Sequence, residues 1–292
     1  PDIIEFTAGL KVTVGSIDCN GALSVANVTE SVIFDGNGAE VAGGIDWVTS
    51  GGLLTPLDQC PGRAGDLLVA ESPGFLRVDG PSAVSVEVRN LQLKSLNDIA
   101  FFRSDQGSLL LEDVTARRIL AHRGSCVSLA IDFGGTGADL TIRRNNWRDV
   151  YNWARVEGAF QGEPLTTSQS ISGGYDIGDL TIEDSWFSDG GNHGFLLWGA
   201  PATSTVNIVS TRIEGFGGIT ITRPPFTSLG GPTTNIVNSV YAVGLGNTGL
   251  VNRIVNAAGP MNIVASTIMV SSADCRTPCQ DREADGVVRQ WP

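Results

Sequence analysis

An eight-residue pattern recurs seven times along this chain and constrains its fold more than any other feature. The first three positions are an apolar residue, any residue and an aliphatic residue. The fourth and fifth are polar or charged, the sixth is small and polar, and the eighth is large and apolar. The copies are VEVRNLQL (86–93), LLLEDVTA (109–116), LTIRRNNW (140–147), LTIEDSWF (180–187), VNIVSTRI (206–213), TNIVNSVY (234–241) and MNIVASTI (261–268). Alternation with period two within each copy predicts strands.

The spacing of the copies predicts a solenoid. Their starting positions differ by 23, 31, 40, 26, 28 and 27 residues, which is too short for a strand plus a long crossover helix. Each unit is therefore a coil of short strands and turns, and stacked coils place equivalent strands in parallel about 4.8 Å apart over one continuous core. We predict an all-β, single-domain parallel β-helix with an N-terminal cap region at 1–30, stacked coils at 31–270 and a tail at 271–292. Long loop insertions are expected at 41–80 and 148–179.

Charge alternates between copies, as in-register stacking requires. The fourth position of the first four copies reads Arg89, Glu112, Arg143 and Glu183. At the fifth position, Arg144 falls between Asp113 and Asp184. Like charges on neighbouring strands would repel, whereas alternating signs attract. Each exposed pair contributes under about 1 kcal/mol, so the alternation sets register more than it adds stability.

Two further positions predict where side chains point. The sixth position becomes small and polar in the later copies, which is expected at a bend where side chains hydrogen-bond along the stack. The eighth position is large and mostly apolar, and it should face the core. We therefore predict that Trp147 and Phe187 are core residues and not a platform for sugar stacking.

Three segments resemble known proteins of this architecture. They are VIFDGNG (32–38), GGNHGFLLWG (190–199) and the opening DIIEFTAGLKVTV (2–14). The chain resembles the right-handed parallel β-helix, or pectate-lyase-like, superfamily, and its opening is similar to that of secreted bacterial β-helix proteins related to polymorphic outer-membrane proteins. The resemblance implies a right-handed solenoid. Its motifs are generic, so they define a scaffold and no particular chemistry.

Enzymes on this scaffold usually cut polysaccharides, either with paired carboxylates or with Arg or Lys bases and Ca²⁺-binding acids. A candidate catalytic set lies on adjacent coils and consists of Arg143, Arg144, Arg148, Asp149, Asp184, Asp189 and His193. The alternating ion pairs already account for several of these charges, so a structural role is favoured. Only the lyase interpretation requires Ca²⁺, and no other cofactor is expected.

The long insertions are the other candidate binding region, because loops on a rigid solenoid commonly carry binding residues. Tyr151 and Trp153 lie in the second insertion and are candidates for contacts with a sugar or another protein. Packing of the same aromatic side chains against the coil wall is the competing interpretation.

The five cysteines predict disulfides and no metal site. Their number is odd, so at least one thiol has no partner within the chain. Cys275 and Cys279 are close enough in sequence for a small disulfide loop, and Cys19 and Cys60 are further candidates. A zinc site needs about four clustered Cys or His ligands, and the chain has two histidines.

Charge and hydropathy limit the kinds of partner that this chain is expected to bind. A net charge of −12 and a pI near 4.5 argue against nucleic acid, and no apolar run approaches the roughly 20 residues of a membrane span. The chain opens at Pro1 with no initiator Met, as a processed secreted protein does, so we expect an extracellular or cell-surface location. Unpaired strand edges at the ends of a solenoid recruit further strands.

These features predict a non-catalytic structural or adhesive module that self-associates through its ends into filaments, with an extracellular glycan as a candidate partner. The alternative is a polysaccharide lyase or glycoside hydrolase that acts on such a glycan.

Overall fold

A computed structural model describes residues 1–14, 24–43, 74–80, 83–96, 98–119, 130–150, 152–156, 159–161, 165–167, 177–188, 195–198, 202–216, 219–222, 231–244, 255–257, 259–271 and 289–290. The secondary structure of these residues consists of β-strands. The strands form three nine-stranded parallel sheets and one two-stranded sheet.

The strands are numbered in chain order. Sheet A contains β1 (Asp2–Glu5), β4 (Val32–Asp35), β7 (Ser85–Arg89), β10 (Ser108–Glu112), β13 (Asp139–Arg143), β18 (Leu180–Glu183), β21 (Thr205–Val209), β24 (Thr233–Val237) and β27 (Met261–Val264). Sheet B contains β2 (Lys11–Val14), β5 (Glu40–Gly43), β8 (Gln92–Lys94), β11 (Thr115–Ile119), β14 (Asn146–Val150), β19 (Trp186–Ser188), β22 (Arg212–Phe216), β25 (Val240–Gly244) and β28 (Thr267–Ser271).

Sheet C contains β3 (Ser24–Val28), β6 (Gly74–Asp79), β9 (Ala100–Arg103), β12 (Ile131–Gly134), β17 (Leu165–Thr167), β20 (Phe195–Trp198), β23 (Ile219–Thr222), β26 (Val255–Ala257) and β29 (Arg289–Gln290). The remaining strands, β15 (Asn152–Val156) and β16 (Ala159–Gln161), pair antiparallel between β14 and β17. The predicted bounds of the two loop insertions were wrong in part, because β6 lies within 41–80 and β17 lies within 148–179, and both are strands of sheet C.

Each of nine coils contributes one strand to each large sheet, in the order A, B, C. This arrangement confirms the prediction of an all-β parallel β-helix. The first coil, β1 to β3, pairs in parallel with the second, and β29 pairs with β26 at the other end. Strand pairing therefore extends into both terminal regions of the chain.

The repeat copies stack in the predicted register. Arg143 is the direct partner of Glu112 on one side and of Glu183 on the other, and the column continues through Val209 to Val264. Towards the N-terminus the alternation of charge ends, because Asp35 neighbours the carboxylate Glu5.

The inward side chains of the three sheets form one core. As predicted from the eighth position, Trp147 is 1% exposed and Phe187 is fully buried. Their rings pack edge to face, with centroids 5.0 Å apart and an interplanar angle of 86°. On sheet C, Phe102 and Phe133 stack with centroids 5.1 Å apart. Aromatic contacts between successive coils thus reinforce the backbone pairing.

A single left-handed residue makes the bend from sheet A to sheet B in each repeat copy. Asn90, Asp113, Arg144, Asp184, Ser210, Asn238 and Ala265 all have φ between +48° and +55°. Asn and Asp tolerate this conformation, whereas it costs other L-residues roughly 1–2 kcal/mol. The fifth position is therefore set by backbone geometry as well as by charge.

The sixth position hydrogen-bonds along the stack, as predicted. The backbone N–H of Val114 donates to Asn145 Oδ1 at 2.7 Å, and the N–H of Asn145 donates to Ser185 Oγ at 3.0 Å. The same contact recurs from Thr211 to Ser239 Oγ and from Ser239 to Ser266 Oγ, each at 3.1 Å. These contacts satisfy backbone donors that the bend removes from the sheet ladders.

The left-handed bend predicts a stabilising substitution. Ala265 has φ of +49° and an exposed side chain, so Ala265→Asn should raise the free energy of unfolding by about 0.5–1 kcal/mol. Ala242→Asn, in the extended strand β25, is the matched control and should give no gain. Urea unfolding followed by circular dichroism measures both, and an equal effect of the two variants would contradict the assignment of strain to the bend.

Candidate functional site

An ion network centred on Glu112 occupies the corner between sheets A and B. The Glu112 side chain is 11% exposed, and three guanidinium groups approach it. Arg143 Nε donates to Glu112 Oε1 at 2.8 Å, with a second bond from Arg143 Nη2, and Arg144 Nη2 donates to the same oxygen at 2.5 Å. Arg89 Nε lies 3.6 Å from Glu112 Oε2.

The network shifts the pKa values of Glu112 and Arg144. Burial acts to raise the pKa of Glu112, but hydrogen bonds from Arg143 and Arg144, together with their charges, outweigh it and hold that pKa below its ordinary value. Arg144 also makes a two-point contact with Asp113, from Nε to Oδ1 at 3.0 Å and from Nη2 to Oδ2 at 2.9 Å. These bonds raise the pKa of Arg144 further above its ordinary value. Both shifts favour the charged forms of Glu112 and Arg144, which makes these two groups unsuited to proton transfer near neutral pH.

The candidate catalytic residues are divided between two sheets. Arg143 ends a strand of sheet A, and Arg144 and Asp184 occupy successive bends. Arg144 bonds to Asp113, one coil before, and no contact of Arg144 with Asp184 is present among the described residues. Arg148 and Asp149 lie in β14 of sheet B; the structure describes the Arg148 side chain but not that of Asp149.

Several other candidate residues lie outside the residues that the structure describes. This applies to Asp189, His193, Tyr151 and all five cysteines, Cys19, Cys60, Cys126, Cys275 and Cys279. Trp153 lies in β15 of the antiparallel hairpin, and its side chain is not described. Among the described residues, no group of three or more His, Cys, Asp or Glu side chains could hold a metal ion.

A second cluster, on the outer face of sheet B, surrounds Trp186. The guanidinium of Arg148 lies 4.0 Å from the indole centroid, and that of Arg212 lies 5.6 Å from it. Trp186 Nε1 donates to Glu214 Oε2 at 2.9 Å, and Arg212 Nη2 donates to Glu214 Oε1 at 2.6 Å. Burial acts to raise the pKa of Glu214, but the bonds from Arg212 and Trp186 lower it below the ordinary value.

Sequence reasoning missed this cluster and the basic column beside it. Lys94, Arg117 and Arg148 are direct partners on β8, β11 and β14, and their side chains point outward. Each of them is the residue that follows one of the first three eight-residue copies, so extending the repeat by one position would have found them.

Among the described residues, a cavity of about 530 Å³ lies beside the first coil and is lined by apolar side chains that include Ile4, Phe6, Phe34 and Phe75. Asp2 also lines it, because β1 places Asp2 in the inward column of Val32 and Val86. An inward-pointing carboxylate at an edge strand is a device that limits pairing with further strands.

Comparison with known protein families, curated proteins and solved structures found no match to this chain. A helix with the length and apolar character of a membrane span is absent from the described residues.

Proposed function

We propose that this protein is a non-catalytic β-helix module of the right-handed, pectate-lyase-like superfamily that acts outside the cell or at its surface. Its role is structural and adhesive, and copies associate end to end. The three stacked parallel sheets and the one-residue bends support the superfamily assignment.

The main support for the non-catalytic assignment is that the arginines and carboxylates at the corner of sheets A and B neutralise one another. Arg143 and Arg144 both bond to Glu112, and Arg144 also bonds to Asp113. A lyase base needs a lowered pKa, and a hydrolase acid needs a raised one. The described groups shift the opposite way, since the pKa of Arg144 is raised and that of Glu112 is lowered.

Exposed apolar side chains at the N-terminal end support end-to-end association. Ile3 is 68% exposed and Ile4 is 47% exposed on the edge strand β1, and Leu10 and Val25 are also exposed. Among the described residues, β1, β2 and β3 each pair with a strand on one side, so the backbone groups on their other side can donate and accept hydrogen bonds with an incoming coil.

The last coil of a second copy is the partner that fits this end. Its strands β27 and β28 bring Ile263 and Ile268 to the inward columns that Ile4 and Val12 occupy in the first coil, and Met261 to the column of Asp2. All three are partly buried hydrophobic residues packed against the core. A head-to-tail contact would therefore continue both the sheets and the core.

Substitution in β1 tests this proposal. Asp2→Val removes the inward carboxylate and should increase the assembled fraction, whereas Ile4→Lys should decrease it. Glu5→Val is the matched control, because it removes the same charge from an outward position of the same strand. Sedimentation velocity over a range of concentrations measures assembly, and electron microscopy shows whether assemblies are linear.

A wild-type protein and an Asp2→Val variant that both remain monomeric at high concentration would refute end association. Cleavage of a uronate-containing or neutral glycan by the wild type, with loss of activity in Arg144→Ala or Asp184→Ala, would refute the non-catalytic assignment and favour the lyase or hydrolase.

A further inference from the structure

We infer that the pair Asn37–Gly38, in the turn between β4 and β5, is a site of spontaneous covalent modification that reacts only when the second and third coils separate. The reaction is deamidation of the Asn37 side chain through a succinimide, with water as the co-reactant. The inference goes beyond the proposed function and does not depend on it.

The sequence of this turn favours ring closure. An asparagine followed by glycine deamidates readily, because glycine has no side chain to hinder the approach of its nitrogen. The Gly38 nitrogen bonds to Asn37 Cγ, the bond from Cγ to the amide nitrogen breaks, and the Gly38 amide proton leaves with that nitrogen as ammonia. Water then opens the succinimide at either carbonyl, which leaves aspartate or isoaspartate at residue 37.

The turn presents Asn37 to solvent. The connection from β4 to β5 has four residues, 36–39, whereas the equivalent connection in the next coil has two, 90–91. Asn37 is exposed and has φ of +47°, a conformation that asparagine tolerates. Its backbone N–H donates to Asp35 Oδ1 at 3.1 Å. Water therefore has access to the side chain that reacts.

Hydrogen bonds to the third coil hold the nitrogen that must attack. The N–H of Gly38 donates to the carbonyl of Asn90 at 2.8 Å, and the N–H of Gly36 donates to the carbonyl of Arg89 at 2.7 Å. The Gly38 nitrogen has to lose its proton to become a nucleophile, and a backbone carbonyl is not a base that can take it. A hydrogen-bonded amide proton is also protected from hydroxide in solution until the structure opens.

Close packing of the two coils makes this opening a separation of coils and not a movement of one loose turn. A Cβ on Gly36 would lie 2.5 Å from the carbonyl oxygen of Asn90 and 2.7 Å from Leu91 Cβ, so only glycine fits there. Leu91 and Val41, on either side of this contact, are each 1% exposed. Access to the Gly38 nitrogen therefore requires that buried side chains of the second and third coils come apart.

The two products change the turn in different ways. Aspartate leaves the backbone as it was and adds a negative charge two residues from Asp35, which already neighbours Glu5 in the first coil. Isoaspartate directs the main chain through the former side chain and lengthens it by one carbon atom. The bonds from Gly36 and Gly38 to the third coil then lose their common register. Modification therefore opposes renewed pairing of the two coils.

The test measures deamidation of Asn37 in the full chain by peptide mapping and mass spectrometry during incubation in mildly alkaline buffer. An isoaspartate-specific methyltransferase identifies the isoaspartate product. The folded protein should react at least about tenfold more slowly than the same chain unfolded in urea. Val41→Ala, which opens a cavity in the core of the second coil, should raise the rate in the folded protein about tenfold.

Val206→Ala is the matched control, because it makes the same truncation at a fully buried valine of β21, five coils further along the solenoid. Opening of a solenoid is local, so this variant should leave the rate at Asn37 unchanged. A folded protein that reacts as fast as the unfolded chain, or equal increases in the two variants, would overturn the inference. Circular dichroism checks that each variant is folded, and the comparison of wild type in buffer and in urea is decisive even if a variant is not.

Discussion

Trp147→Ala should lower the free energy of unfolding by about 3–5 kcal/mol, the largest effect that we expect from any single substitution in the described residues. Trp147 is 1% exposed and packs edge to face on Phe187, so its truncation opens a cavity between two coils. The indole Nε1 has no hydrogen-bond partner among the described residues, and packing alone accounts for the loss. Urea unfolding followed by far-UV circular dichroism, a signal that does not depend on tryptophan fluorescence, measures this loss of free energy of unfolding.

Trp186→Ala is the matched control. Trp186 lies on the next strand of sheet B but one position earlier in the repeat, and it faces outward. Its truncation should cost less than about 1.5 kcal/mol, since it removes cation–π contacts and one hydrogen bond but opens no core cavity. Equal losses for the two variants would show that the inward and outward positions are wrongly assigned.

Glu112→Gln should destabilise the protein by about 2 kcal/mol at neutral pH, because it leaves several arginines at one corner without their shared carboxylate. The pKa of Glu112 in the folded state lies below its ordinary value of 4.5. The stabilisation by the carboxylate is therefore fully present above that ordinary value and is lost as the pH falls through the lowered folded-state pKa. Unfolding curves of wild type and variant should converge in acid.

Glu183→Gln serves as the control for the ion network. Glu183 is the direct partner of Arg143, but its side chain is 32% exposed and its carboxylate lies 3.5 Å from the guanidinium. We expect a loss under about 0.5 kcal/mol. A Glu112→Gln variant as stable as Glu183→Gln at neutral pH would show that burial does not strengthen the central pair.

The strands of sheets A and B from β7 to β28 could be predicted from the sequence, for a physical reason. Stacking in register converts the same position of successive copies into neighbours in space, so the sequence can be read as columns. The fourth position correctly paired Glu112 with Arg143, and the eighth correctly placed Trp147 in the core. The sixth correctly predicted the hydrogen bonds of Asn145 and Ser185.

Sheet C and the details of the site could not be predicted in this way. Its strands, such as GFLRVD in β6 and IDFG in β12, share no repeated pattern, because segments of unequal length precede them. The choice of Asp113 over Asp184 as the partner of Arg144 depends on side-chain direction at a left-handed bend. The contact between Trp186 and Glu214 joins the seventh position of one copy to the residue that follows the next copy, and no single column connects these two positions.

The one-residue bend also determines where this chain can tolerate a change of length. Every copy keeps eight residues across the corner of sheets A and B, while the distance between copies ranges from 23 to 40 residues. An added residue at that corner would turn every later side chain of the coil to the opposite face. Insertions and deletions, including engineered guest peptides, should therefore be accepted only at the other two corners. Further coils could be added to the molecule as long as each keeps the same length at the corner between sheets A and B.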